Sequence, residues 1–144
     1  MGKKEQDVLK LSIQSSYACM ERVATLVEKA AVRIGISEDN SVDLMIAITE
    51  AVTNAIQHGN REDESKRVHI RVETAPSEIT IWVEDEGKGF DVEAVQDPRN
   101  TGNLLRESGR GILMMQAFMD EVAFASGEKG TSVRMVKRFA SDME

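Results

Sequence analysis

The 144-residue chain is short of basic charge, of cysteine and of long apolar runs. Its 18 Lys and Arg face 25 Asp and Glu, leaving a net charge of −7. A surface that binds duplex nucleic acid displaces phosphate counterions with clustered cations, so nucleic acid is not expected as the main partner. Cys19 stands alone, which rules out an internal disulfide and zinc-finger spacing and suits a reducing compartment. No apolar run approaches the roughly 20 residues needed to cross a bilayer. The opening Met1–Asp7 stretch has basic residues with no apolar segment behind them, and Gln6 stands where a myristoylation motif wants Ser or Thr. The expectation is a cytoplasmic protein with no membrane partner. Internal repeats and low-complexity segments are also missing, and the length suits one domain over residues 1–144.

What is there is a clear sequence of elements. Val8, Leu9, Leu11 and Ile13 predict an opening strand. Val23, Leu26, Val27, Ala30 and Ile34 recur at helical spacing, so a helix is predicted from about Ser16 to Ile34, closed by Gly35. Ser37 opens a second helix with Glu38 and Asp39 at its dipole-positive end, running to about His58 before Gly59. Val68, Ile70 and Val72, then Ile79, Ile81 and Val83, alternate with polar residues around an Ala75–Glu78 turn, predicting a hairpin. Residues 91–108 form a long aperiodic stretch, which inside a compact domain is usually functional. A helix from about Arg110 to Met119 and strands at Val122–Ala125 and Thr131–Val136 complete the chain. Helices on one face of a mixed, mainly antiparallel sheet would bury every stripe: an α+β two-layer sandwich.

Four features are candidates for chemistry, and each alone has an ordinary structural explanation. Glu50, Asn54 and His58 are spaced four apart and share one helix face, opposite Met45, Ile48, Val52, Ala55 and Ile56. That pattern is also the solvated face of any amphipathic helix. Asp85-Glu86-Gly87-Lys88-Gly89-Phe90 follows an apolar strand; it reads as a turn, or as a carboxylate beside glycines that let a ligand come close. Ser108-Gly109-Arg110-Gly111-Ile112 opens a helix, where free N–H groups favour phosphate and Arg110 or Arg106 adds charge. Gly127 to Thr131 is a hairpin turn. Neither a Walker P-loop nor a Rossmann glycine pattern occurs.

Taken in order, the four resemble the GHKL (Bergerat-fold) ATPases, and within them the anti-sigma-factor serine/threonine kinases. Glu50-Ala51-Val52-Thr53-Asn54-Ala55 with His58-Gly59 looks like the N box, Asp85–Phe90 like the first glycine box, and Asn103–Leu105 with Ser108–Met114 like the lid and second glycine box. The likeness spans about residues 6–137. It implies ATP and Mg²⁺ as cofactors, with Asn54 as the metal ligand and Glu50 as the base that deprotonates an acceptor hydroxyl. Asp85 would bind the adenine amine with Thr131 in support, and Gly87 and Gly89 would give the nucleotide room. Gly109, Arg110 and Gly111 would meet the phosphates beneath an ATP lid at about 91–108, with Arg99, Arg106 and Arg110 all open for the γ-phosphate. An acidic protein can do this, because a few N–H groups, one Mg²⁺ and one or two cations suffice.

The implied function is phosphorylation of a small anti-sigma-factor antagonist and sequestration of a sigma factor, by a homodimer. The alternatives are a stand-alone histidine-kinase ATPase module and a nucleotide-gated binding module. The first lacks a phosphoacceptor helix pair, since His58 and His69 are the only histidines; the intact Glu50 speaks against the second. One departure stands out: Glu86 and Lys88 vary the family's commoner Asp-Asn-Gly form, so altered rim contacts are expected there.

Overall fold

The computed structural model describes residues 7–87, 111–127 and 129–139. Five strands form one sheet: β1 (Asp7–Gln14), β2 (Arg67–Ala75), β3 (Glu78–Glu84), β4 (Glu121–Gly127) and β5 (Gly130–Arg138). Among the described residues three α-helices accompany them: α1 (Met20–Ile34), α2 (Glu38–Asn54) and α3 (Gly111–Phe118). The sheet order is β1-β2-β3-β5-β4, and every neighbouring pair is antiparallel. The expected mixed, mainly antiparallel sheet is therefore wholly antiparallel among the described residues. Because β5 returns between β3 and β4, Glu84 at the end of β3 pairs with Ser132 near the start of β5. That return brings residue 131 beside residue 85.

Helix boundaries follow local chemistry. The first predicted helix begins as a 3₁₀ turn, Tyr17–Cys19, whose Ala18 N–H donates to the Ser16 hydroxyl at 3.2 Å, and becomes α-helical only at Met20. Gly35 closes α1 in the left-handed conformation, with φ of 66°, where a side chain would be strained. The Ser37 hydroxyl accepts from Asn40 N–H at 3.2 Å and caps α2, as its sequence requires. The α-helical form stops at Asn54, and Ala55–Gly59 widen into a π-helical turn. Such single turns recur at functional sites.

One core holds both layers. On the sheet's inner face lie Ile13, Val68, Ile70, Val72, Ile79, Ile81, Val83 and Met135, and Val23, Val27, Leu44, Ile48, Val52, Ile56 and Met115 come down from the helices, all buried. Each such side chain contributes about 1.5–3 kcal/mol when fully buried. Ile48, Val52, Ala55 and Ile56 are the apolar face predicted for the second helix, and Met45 packs at its margin. This anchors α2 rigidly, so its other face has a fixed direction. The opposite face of the sheet is polar, with the Arg71 guanidinium 3.9 Å over the Trp82 ring.

Candidate functional site

Asp85 directly follows β3, and its backbone is tied to β5: Asp85 N–H donates to the Thr131 carbonyl at 2.9 Å. The side chain turns back on the same strand. Its Oδ1 accepts from Gly87 N–H at 2.9 Å and from Thr131 N–H at 3.1 Å. Oδ2 lies toward Gly59, where an added Cβ would stand 2.1 Å from it. An added Cβ on Gly87 would fall 1.9 Å from the Gly59 carbonyl oxygen, and one on Gly130 would fall 2.1 Å from the Asp85 carbonyl oxygen. Backbone cannot retreat as a flexible side chain can, so Gly87 and Gly130 must be glycine, while a Cβ on Gly59 would displace the Asp85 carboxylate itself. Gly130 also holds φ of +136°, a second reason for glycine there.

Burial pushes the Asp85 carboxyl above the ordinary aspartate range; the Gly87 and Thr131 N–H donors and the charge of Lys66 oppose that rise without cancelling it. Beside it opens a cavity of about 570 Å³, with Glu84, Asp85, Ser126, Lys129, Gly130 and Thr131 in its lining. Thr131 is buried, its hydroxyl 3.4 Å from that of Ser126. A partly desolvated carboxylate facing a glycine-lined recess is suited to accept a hydrogen bond from a polarised N–H of a flat ligand.

Glu86 answers the departure in the glycine box. Its Oε1 accepts from Arg67 N–H at 3.0 Å and its Oε2 lies 2.8 Å from His69 Nε2. The hydrogen bond from His69, then that from Arg67 N–H, hold its carboxyl below the usual range. The altered rim contact is thus a clamp onto the start of β2.

Glu50 and Asn54 lie four residues apart on α2, half-buried, with His58 continuing the stripe into the π-helical turn. Among the described residues none of the three has a side-chain hydrogen bond or ion pair. The stripe leads to Gly59, which touches Asp85, so helix and carboxylate meet at one end of α2. Glu50 and Asn54 do not line the cavity beside Asp85. Gly111 opens α3, which packs on α2. Gly89, Arg106, Gly109, Arg110 and the 91–108 stretch lie outside the described residues, as does Lys88.

Two residues gain roles that periodicity hid. Gly59 reads in sequence as a helix stop, but its missing Cβ is what admits Asp85. Asn60 has no signal beyond a polar residue after a helix, yet it is buried and fully hydrogen-bonded. Among the described residues no group of three His, Cys, Asp or Glu is placed to hold a metal ion. No described helix is long and apolar enough to cross a membrane.

This geometry has counterparts. The chain is 31% identical over 141 residues to Serine-protein kinase RsbW of Bacillus subtilis (strain 168), covering 94% of this chain and 88% of that protein. It is 42% identical over 104 residues to Anti-sigma F factor of Clostridium botulinum (strain Eklund 17B / Type B), covering 70% and 73% respectively. A crystal structure of RsbU and RsbW domains from Mycobacterium tuberculosis shares the fold, with a TM-score of 0.68 and 19% identity. That match covers 92% of this chain and 32% of the longer one. The description "Histidine kinase-like ATPase domain" matches residues 13–137. The chain belongs to the histidine kinase-like ATPase domain family.

Proposed function

We propose that this protein is an ATP-dependent serine/threonine protein kinase that also acts as an anti-sigma factor. Its substrate would be an anti-sigma-factor antagonist and its captive a sigma factor, with residues 1–144 working as one domain, in a homodimer, in the cytoplasm. The names of the relatives, Serine-protein kinase RsbW and Anti-sigma F factor, support both halves of this reading. The observation that carries the nucleotide assignment is Asp85: Oδ1 is occupied by two backbone donors, Oδ2 lies against Gly59, and the residue lines the cavity beside it.

When bound, ATP would supply the phosphoryl group, and Mg²⁺ the positive charge that screens it. The chain's own residues divide the remaining work. Asp85 Oδ2 accepts the exocyclic amine of adenine, and Thr131 fixes Oδ1 so that the carboxylate cannot turn away. Gly87 and Gly89 would give the nucleotide room. Asn54 would offer one neutral amide oxygen to Mg²⁺, a hard cation that suits a sparse set of protein oxygen donors. Gly109, Arg110 and Gly111 would present N–H groups and charge to the phosphates, and Arg106 would add charge from the lid segment. Glu50, on a helix face fixed by the core behind it, takes the proton of the acceptor hydroxyl.

The test is transfer of label from γ-labelled ATP to a purified antagonist protein. Label on a serine or threonine of the antagonist is expected. Stoichiometric ATP binding with no label on any residue would leave only a nucleotide-gated binding module, and label on histidine would point to histidine-kinase chemistry.

A further inference from the structure

The turn after α2 is strained, and one buried side chain explains why. Arg61 and Glu62 both hold left-handed backbone, with φ of 53° and 60°, which residues bearing a Cβ rarely adopt. Just before them Asn60 is 2% exposed. Its Oδ1 accepts from Glu86 N–H at 2.8 Å, and its Nδ2 donates to Ser15 Oγ at 2.7 Å and to the Arg67 carbonyl at 3.0 Å. The partners fix the amide's orientation: a flipped side chain would set N–H against N–H at Glu86 and oxygen against oxygen at Arg67. The strained turn therefore carries Asn60 inward, where it joins the ends of α2, β1, β2 and β3.

Only one of those bonds reaches the nucleotide recess. The Glu86 N–H belongs to the peptide that leaves Asp85. On the other side Asp85 N–H is held by the Thr131 carbonyl. Asp85 is thus pinned on both sides, by β5 before it and by Asn60 after it, and Gly87, two residues on, is pressed on Gly59.

We propose that Asn60 is a positioning residue for adenine recognition: it orients the peptide after Asp85, so that the carboxylate keeps Oδ1 on its backbone donors and Oδ2 on the ligand. This rests on the reading of Asp85 as the adenine acceptor. Asn60 touches no nucleotide and takes no part in phosphoryl transfer. Its effect falls on the contribution of the 6-amino group to affinity.

The experiment compares the affinities of ATP and of purine riboside triphosphate, which lacks that amine, by calorimetry on the full chain. Wild type is expected to prefer ATP. Asn60→Ala should lower the preference about tenfold, through ATP alone, and an equal loss for both nucleotides would show a merely structural role and overturn the proposal. Should Asn60→Ala not fold, Asn60→Ser replaces it: Ser keeps a small polar side chain but is too short to reach Glu86 N–H and should lose the preference, and a wild-type preference in that variant overturns the proposal. Asp85→Asn is the control, since its amide would meet the ligand amine donor to donor. If that variant collapses the preference and Asn60→Ala does not, Asn60 alone is misassigned. If Asp85→Asn retains wild-type preference, the reading of Asp85 fails and the role of Asn60 falls with it.

Discussion

The two ends of the candidate site are built differently. Around Asp85 everything is backbone: two N–H donors on one oxygen, three glycines without room for a Cβ, and strands that fix both. Along α2 the fixed part lies on the other side of the helix, in Ile48, Val52 and Ile56, while Glu50 and Asn54 stand half-buried with no side-chain partner among the described residues. One end is preorganised. The other presents groups with no side-chain partner among the described residues. On the proposed reading this is a division of labour, in which affinity would reside at Asp85 and chemistry at Glu50.

The largest effect should come from breaking the chemical end. Glu50→Ala is expected to slow phosphotransfer by about 10²–10⁴-fold, the usual contribution of a positioned base, with ATP affinity nearly unchanged by calorimetry. Breaking the binding end through its backbone comes next. Gly87→Ala drives a Cβ onto the Gly59 carbonyl and should destabilise the fold by about 3 kcal/mol, read from the urea midpoint, with ATP binding lost in parallel. Asp85→Asn should leave the fold in place and weaken ATP by about 10- to 100-fold, the size of one charged hydrogen bond.

The pH dependence sharpens the same contrast. The folded-state pKa of Asp85 is raised, so acidification protonates it at a higher pH than the usual value of about 3.9. ATP affinity should fall as pH drops through that raised value, and this fall should vanish in Asp85→Asn. For stability the sign reverses. The native state holds this proton more tightly than the unfolded chain, so the contribution is full below the unfolded pKa and is lost as pH rises through the folded one. The smallest effect belongs to the rim. Glu86→Gln weakens an exposed contact with His69 and should cost about 0.5 kcal/mol of stability, with transfer unaltered.

The layers were legible in the sequence because apolar period and caps are local. Ser37, Gly35 and the alternation in Val68–Val72 and Ile79–Val83 each announce an element unaided. The meeting of Asp85 with Thr131 was not written in any period; it depends on β5 entering between β3 and β4, a choice made by the whole sheet. The resemblance to known ATPases supplied it. The resemblance placed Gly59 in the N box but not against Asp85, because a glycine ending a helix has a sufficient local reason, and Asn60 escaped altogether, because a buried asparagine looks like an exposed one. The widening of α2 at Ala55 was equally hidden, for no residue type marks a π-helical turn.

The division of labour can be tested most directly by single-turnover phosphotransfer to the antagonist, with Asp85→Asn and Glu50→Ala each at saturating ATP. Once nucleotide is saturating, Asp85→Asn should recover transfer close to wild type while Glu50→Ala stays slow at every concentration. Wild-type transfer by saturated Glu50→Ala would contradict the account.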